Sequence, residues 1–140
     1  MRGIYRVIDA NLNRAREGLR VLEEIARFIL NDAGMTSRLK DLRHSLAAAA
    51  GRLPGGVLEL ARSRDSTGDV GAGSWTPGEK TRDNISSLAV ANLKRVQEAT
   101  RVLEEFGKII GPGAQDFKKI RFSVYVLEQE MLGKLSDKGL

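Results

Sequence analysis

The segment Ala10–Glu24 (ANLNRAREGLRVLEE) returns at Ala91–Glu105 (ANLKRVQEATRVLEE). The two copies share Asn11/Asn92, Arg14/Arg95, Glu17/Glu98, Arg20/Arg101 and a closing Val-Leu-Glu-Glu. A helical core can be kept with any apolar residues of about the right size. Packing alone therefore does not require this much polar identity, which points to a shared site or a recent duplication. A second match follows with a small slip of register. Leu39–Leu46 (LKDLRHSL) pairs with Phe117–Val124 (FKKIRFSV), keeping Lys40/Lys118, Arg43/Arg121 and Ser45/Ser123. The repeating unit is a helix, a short turn and a second helix. Two copies are too few for a solenoid, which needs about three. The expected architecture is all-α: a four-helix bundle of two duplicated helical hairpins, related by a pseudo-twofold axis and joined by a long Gly-rich loop.

At 140 residues the chain reads as one domain. Repeat 1 is expected over about 8–53, a connecting loop over about 54–80, repeat 2 over about 81–132 and a tail over 133–140. There is no cysteine, hence no disulfide framework and no thiolate metal site. No apolar run nears the roughly 20 residues of a membrane span, and the N-terminus lacks the apolar stretch of a signal peptide. A cytoplasmic protein without membrane contact is the expectation. The formal charge of +5 suits an anionic partner: a nucleotide, a phosphate ester or nucleic acid. Nucleic acid is disfavoured, because aromatics are few and the cations are interleaved with Glu and Asp.

Ile8, Leu12, Ala15, Leu19, Leu22, Ala26 and Ile29 recur at spacings of three and four, one continuous apolar stripe. Asp9 reads as the N-cap of this helix and Gly34 as its stop. A second helix is expected from Thr36 to about Leu53, halted by Pro54-Gly55-Gly56. A third starts near Thr81–Asp83, turns Leu88, Leu93, Val96, Leu103, Phe106 and Ile110 inward, and stops at Gly111-Pro112-Gly113. A fourth runs from about Ala114 to Leu132. No segment shows the alternation of a strand.

Beside the apolar stripe runs a polar one, Asn11, Arg14, Gly18 and Val21, repeated as Asn92, Arg95, Ala99 and Val102. Its small residue would let a backbone or a ligand come close, which suits a polar pocket at a helix junction. The plainer alternative is that each Arg covers the core edge with its stem and pairs with a carboxylate. Glu17, Arg20 and Glu24, with their counterparts Glu98, Arg101 and Glu105, read as a solvated face. They would line a cleft only if the two halves turned these faces together.

The segment Arg62–Ser74 (RSRDSTGDVGAGS) is the other informative stretch. Its glycines, Gly68 and Gly71 among them, permit close backbone approach, and its amides would cradle an oxyanion. Arg62 and Arg64 suit phosphate, and Asp65 and Asp69 suit Mg²⁺. The Gly-Lys-Ser/Thr ending of a Walker A loop is missing, and a flexible polar linker is the alternative. Arg82 and Asn84 open the third helix, whose N-terminus favours an anion. His44 has Phe122 as its counterpart, which suggests a semi-buried packing position. Trp75 would either stack on a heterocycle or anchor the loop on the core.

Ile8–Glu24, Leu42-Arg43-His44, Arg64–Gly71 (RDSTGDVG) and Ala91–Glu105 occur in an order that resembles a known family. It is the small helical domain fused in front of thiamine-phosphate synthase in many bacteria. The resemblance covers about residues 4–132. It implies a hydroxymethylpyrimidine-phosphate kinase, unrelated to the ribokinase-like enzyme that performs the same step elsewhere. ATP and Mg²⁺ are then the implied cofactors. A pyrimidine phosphate and a nucleotide are the implied ligands, and a thiamine-phosphate synthase is the partner or fusion. A second copy of the chain remains an admissible partner.

Phosphoryl transfer onto a phosphate monoester needs no strong base, because the nucleophile is already ionised; it needs two polyanions held together. Arginines in both copies and a carboxylate-bearing loop fit that need, whereas a single histidine fits poorly with a hydrolytic triad. On this chemistry Arg14, Arg95, Arg64 and Asp69 are the candidate catalytic residues. Asn11, Asn92, Arg20, Arg101, Arg43, Arg62, Arg82, Gly68 and Gly71 are candidates for substrate and phosphate binding. Asp65, Asp69 and Glu17 are candidate metal ligands, with Asp9, His44 and Glu98 as further members. The competing expectation is a non-catalytic helical module that binds a pyrimidine phosphate or partners the synthase.

Overall fold

A computed structural model describes residues 1–140. The chain is all-helical, with five α-helices and no strand: α1 (Arg2–Glu24), α2 (Ala33–Gly51), α3 (Gly56–Ser63), α4 (Ile85–Ile110) and α5 (Ala114–Asp137). A π-helical turn, Ile25–Ile29, continues α1, and a 3₁₀ turn, Pro77–Glu79, lies ahead of α4.

The apolar stripe of α1 is buried from Ile8 to Ala26, apart from half-buried Leu12, but Ile29 is exposed. The π turn explains the difference. Leu30 N–H reaches back to Ile25 O, an i→i+5 bond that winds the chain more loosely and takes Ile29 off the buried face. The helix begins at Arg2, not near Asp9, because Ile4 and Tyr5 also pack against the core. Tyr5 Oη donates to Pro54 O at 3.2 Å, fastening this added turn to the end of the first hairpin. Asp9 is thus a mid-helix residue and caps nothing. Nor does Gly34 stop the helix: the break is at Asn31, in the left-handed region at φ 51°. Asp32 then caps α2 by accepting from Met35 N–H at 2.9 Å, which leaves Gly34 in the first turn of α2.

The second half keeps closer to expectation. Asn84 caps α4 in a reciprocal box with Ser87, at 2.8 and 3.1 Å. Gly111 and Gly113, both at positive φ, form the turn into α5. That helix runs to Asp137, into the stretch read as a tail. The Gly-rich connection holds the helix α3, so the irregular chain is confined to residues 64–84 around the 3₁₀ turn.

Helix α1 packs against α4, α2 and α3; α4 packs against α5, and α2 against α5. A core of 24 buried apolar residues fills the space between them. Helices α1 and α4 run in opposite directions and cross closely at Gly18. A Cβ there would stand 2.7 Å from Val96 Cγ2 and 3.3 Å from Asn92 O. No buried side-chain nitrogen or oxygen lacks a hydrogen-bond partner.

The close crossing generates a paired prediction. Gly18→Val overfills it and lowers unfolding stability by about 1–3 kcal/mol. Gly133→Ala, on an open face of α5 with nothing within 4 Å, raises stability by roughly 0.5–1 kcal/mol through the unfolded state and helix propensity. Urea titration of the two variants checks both signs.

Candidate functional site

At the end of α3 the chain turns back across α1. Ser63 closes the helix by donating its hydroxyl to Leu60 O at 2.6 Å, and Arg64 leaves in an extended conformation. Its guanidinium meets Asp9 in a two-point ion pair, Nε to Oδ2 and Nη2 to Oδ1, each 2.7 Å. The hydrogen bond to Asp9 and the charge of Asp9 raise the guanidinium's pKa, against a smaller opposing effect of desolvation. Asp9 is buried and Arg64 half-exposed. Two of the five guanidinium N–H groups are therefore fixed on Asp9, and the rest stay available to a ligand.

A cleft of about 550 Å³ opens beside this pair, lined by Arg6, Asn11, Arg14, Arg64, Asp65 and Asp69 among others. Asn11, Arg14 and Val102 also line an adjoining recess of about 420 Å³ along the α1–α4 seam, where Lys94, Arg95 and Glu98 stand. The two share Asn11, Arg14 and Val102 and are together called the groove. Its seam end carries Arg14, Arg95 and Lys94 against Glu98; its loop end carries Asp65 and Asp69. Arg14 has one long contact, Nη1 to Asn11 Oδ1 at 3.4 Å, and both Arg14 and Arg95 are exposed. The repeated asparagines do the same thing in both halves. Asn11 donates to Val7 O at 2.8 Å and Asn92 to Leu88 O at 2.9 Å, which fixes each amide against its own helix.

The loop is self-bonded. Asp65 Oδ1 accepts from Gly68 N–H at 3.0 Å and from Thr67 Oγ1 at 3.3 Å, and Asp69 accepts from Gly71 N–H at 2.9 Å. A Cβ at Gly68 would lie 2.3 Å from Asp65 Oδ2, so a larger residue there would displace the Asp65 carboxylate. The amides expected to cradle an oxyanion are thus spent on the loop's own carboxylates. The three-carboxylate metal set is not assembled either: no group of three or more His, Cys, Asp or Glu side chains converges. Glu17 is exposed on α1 and does not line the cleft. Asp65 and Asp69 do line it together. Two carboxylates are as many as Mg²⁺ commonly takes from a protein.

Arg43 is drawn elsewhere. It pairs with buried Glu23, Nε to Oε2 at 2.8 Å and Nη2 to Oε1 at 3.3 Å. Arg121 repeats the arrangement on Glu104, at 2.5 Å. The sequence separations are 20 and 17 residues, a difference just under one helical turn, so the slip of register returns each Arg to its Glu. Arg20 contacts Glu23 and Glu24, and Arg101 contacts Glu104 and Glu105, which bears out a solvated, salt-linked face. Arg101 also borders a shallow recess with Glu98, Arg121 and Tyr125. Arg62 is exposed on α3, and Arg82 donates to Gly78 O and Thr81 O within its own loop. His44 is not semi-buried: both it and Phe122 face outward. Trp75 is 61% exposed and anchors nothing.

Burial pushes the carboxyls of Glu23 and Glu104 up, but hydrogen bonds and charge from Arg43 and Arg121 outweigh it, helped by Arg20 and Lys40 in one case and Arg101 and Lys108 in the other. Both end below the ordinary value of 4.5. Sequence reasoning passed over these glutamates, although their signal was present: the Glu and its Arg recur together in both copies. Arg6 and Lys94 were also missed. Arg6 lies ahead of the repeat, and Lys94 stands where the first copy has Asn13.

An all-helical fold carrying a cation-lined groove along a helix seam is the class that this geometry defines. The ThiD2 family model matches residues 6–130, and the chain belongs to that family. It is similar to thiamine-phosphate synthases: 46% identical over 136 residues to that of Rhodopirellula baltica, covering 96% of this chain and 36% of the relative. It is 45% identical to that of Nostoc punctiforme over 131 residues, covering 93% and 36%, and 44% identical to that of Synechocystis over 131 residues, covering the same shares. The chain thus spans about a third of the length of these relatives. No solved structure matches it. No helix is long and apolar enough to cross a membrane.

The lowered carboxyls give a pH dependence. The unfolded chain binds protons at these glutamates more readily than the native state does. Their contribution is complete above about pH 4.5 and is lost as pH falls through the lowered native values. Urea midpoints should hold steady above that value and fall below it. The double variant Glu23→Gln/Glu104→Gln should start less stable and show a shallower acid slope.

Proposed function

We propose that this chain is an ATP-dependent phosphomethylpyrimidine kinase of thiamine biosynthesis. It carries the γ-phosphoryl group of ATP onto hydroxymethylpyrimidine phosphate. A phosphate oxygen of the acceptor attacks the γ-phosphorus, and that O–P bond forms as the bond to the β–γ bridging oxygen breaks. ADP leaves with the electron pair. The attacking oxygen is ionised near neutral pH, so the reaction asks for positioning and charge neutralisation and no strong base.

The observation that carries this reading is the order of charge along the groove. Arg14 and Arg95 stand unpaired at the seam end, Asp65 and Asp69 at the loop end, and Arg64 lies beside the latter, held by Asp9. Arg14 and Arg95 bind and orient anionic oxygens. Arg64 enters with its rotamer already fixed, so less freedom is lost when a phosphate takes its remaining donors. Asp65 and Asp69 would hold Mg²⁺ together with phosphate oxygens, and the metal supplies neutralisation of charge on the transferring group. The matched segments are read as duplicated hairpins of a four-helix bundle, so that each half brings one Asn/Arg set to the seam, one for each phosphate-bearing substrate. Kinship with thiamine-phosphate synthases supports the pathway.

A second reading is a non-catalytic module that binds a pyrimidine phosphate beside a synthase. The chain's match to only about a third of each relative favours it. ADP release with Mg-ATP and hydroxymethylpyrimidine phosphate separates the two, with the unphosphorylated alcohol as control acceptor. Turnover with the phosphate ester is expected; binding of the ester without ADP release would leave the module. Arg14→Ala and Arg95→Ala should each lower kcat/KM by about 10²–10³-fold, one mainly through ATP and the other mainly through the acceptor. If both leave both affinities unchanged, the seam is not the site.

A further inference from the structure

The Asp9–Arg64 pair has a second side. Asp9, Asn13 and Arg64 line the phosphate cleft and also a second, half-open pocket of about 340 Å³ between α1, α2 and α3. Its apolar walls are Leu12, Leu46, Ala47, Ala50, Val57 and Leu60, and Arg16 joins Asp9, Asn13 and Arg64 as its polar lining. That size and an apolar lining with a few polar groups on one rim are the marks of a small-molecule site.

The second half does not repeat these walls. In the register that pairs Arg43 with Arg121, Ala47 corresponds to Tyr125 and Ala50 to Glu128. Large side chains therefore stand where the first copy has methyl groups. The lid over the first pocket, Val57 and Leu60 of α3, belongs to the unrepeated connection, and the counterpart of Asp9 is Val90. The small side chains of the run Ala47–Ala50 are thus peculiar to the first half.

Asn13 is committed at the rim, Nδ2 donating to Asp9 O at 3.1 Å and Oδ1 accepting from Arg16 at 2.7 Å. We infer that this pocket takes the aminopyrimidine ring of the phosphorylated acceptor against its apolar walls, with Asp9 accepting from the amino group through a lone pair that Arg64 leaves free while Arg64 spans to its phosphate. This assignment rests on the kinase reading above and places one substrate within it. The acceptor fits because a single methylene and its oxygen separate ring from phosphorus. A ligand so short needs an apolar slot and an anion site divided by no more than one side-chain pair, and Asp9–Arg64 is that divider. The adenine of ATP carries the same aminopyrimidine chemistry but is held away from its phosphates by a ribose, so it is the alternative that the test must exclude.

The test fills the slot without touching the groove. Ala47→Tyr installs the residue of the second half, and Val57→Phe, on a largely exposed position of α3, fills it from the other wall with little risk to folding. Both variants are measured by KM for hydroxymethylpyrimidine phosphate and for ATP. Calorimetric titration with hydroxymethylpyrimidine phosphate is run in the absence of nucleotide. The expected result is an acceptor KM and Kd weakened by at least about tenfold, the scale on which an apolar pocket discriminates shape, with the ATP KM unchanged. A rise confined to the ATP KM assigns the pocket to adenine and overturns the inference while the kinase stands. No change in either variant, with unaltered thermal unfolding, also overturns it. If the wild-type chain releases no ADP but binds the acceptor, and both variants weaken that binding, the kinase reading falls and the pocket assignment stands. If the wild-type chain neither turns over nor binds the acceptor, both are overturned.

Discussion

Where α1 crosses α4, the missing side chain of Gly18 lets Val96 come to a distance that no Cβ tolerates and the carbonyl of Asn92 to one that would be tight. Two helices that approach so closely must also bring together what flanks the contact. The flanking residues are the repeated polar stripe: Asn11 and Arg14 on one helix, Asn92 and Arg95 on the other. A wider crossing would leave two separate cationic surfaces, each exposed to water of high dielectric and worth little to an anion. The close crossing makes one groove with both arginines on its walls. The same central position lets α1 receive α2 and α3 on its other sides, so a single helix contributes to the core, the groove and the apolar pocket.

Ion pairs divide the labour between stability and function. Glu23 with Arg43 and Glu104 with Arg121 are turned inward and answer to the same place in each copy. Such pairs recover little net energy once desolvation is counted, but each penalises any arrangement that leaves its partner alone. They hold the second helix of each hairpin in register against the first. Asp9 and Arg64 use the same chemistry across a much longer separation in sequence, and there the Arg keeps donors free. Arginine is thus read correctly only once its carboxylate is known.

Much of the fold was legible because it depends on local pattern. The stripe from Ile8 to Ala26, the stop at Gly111–Gly113 and the absence of strands follow from period and from glycine at positive φ. The start of α1 was not legible, because Arg2–Ile8 is held in the helix by Ile4, Tyr5 and a bond to Pro54, none of which the N-terminal sequence announces. The break at Asn31 was hidden by a better-looking glycine three residues on. In the site, Arg14, Arg64, Asp65 and Asp69 were found from residue type and do share a cleft. The pairing of Arg43 was not legible because its partner lies 20 residues away on another helix, nor that of Asp9, whose partner lies 55 residues away. Tertiary pairing of that kind leaves no trace in a window of one helix.

The alanines at 47 and 50 carry a consequence for how such a molecule arises. Two identical hairpins assembled as separate chains would present the run Ala47–Ala50 twice or not at all, and would have no place for a lone α3. Covalent linkage removes that constraint. One half can carry alanine at 47 and 50 while its counterpart keeps Tyr125 and Glu128. Asymmetry then becomes a property written into one polypeptide, which carries two arginine sets but one run of small side chains.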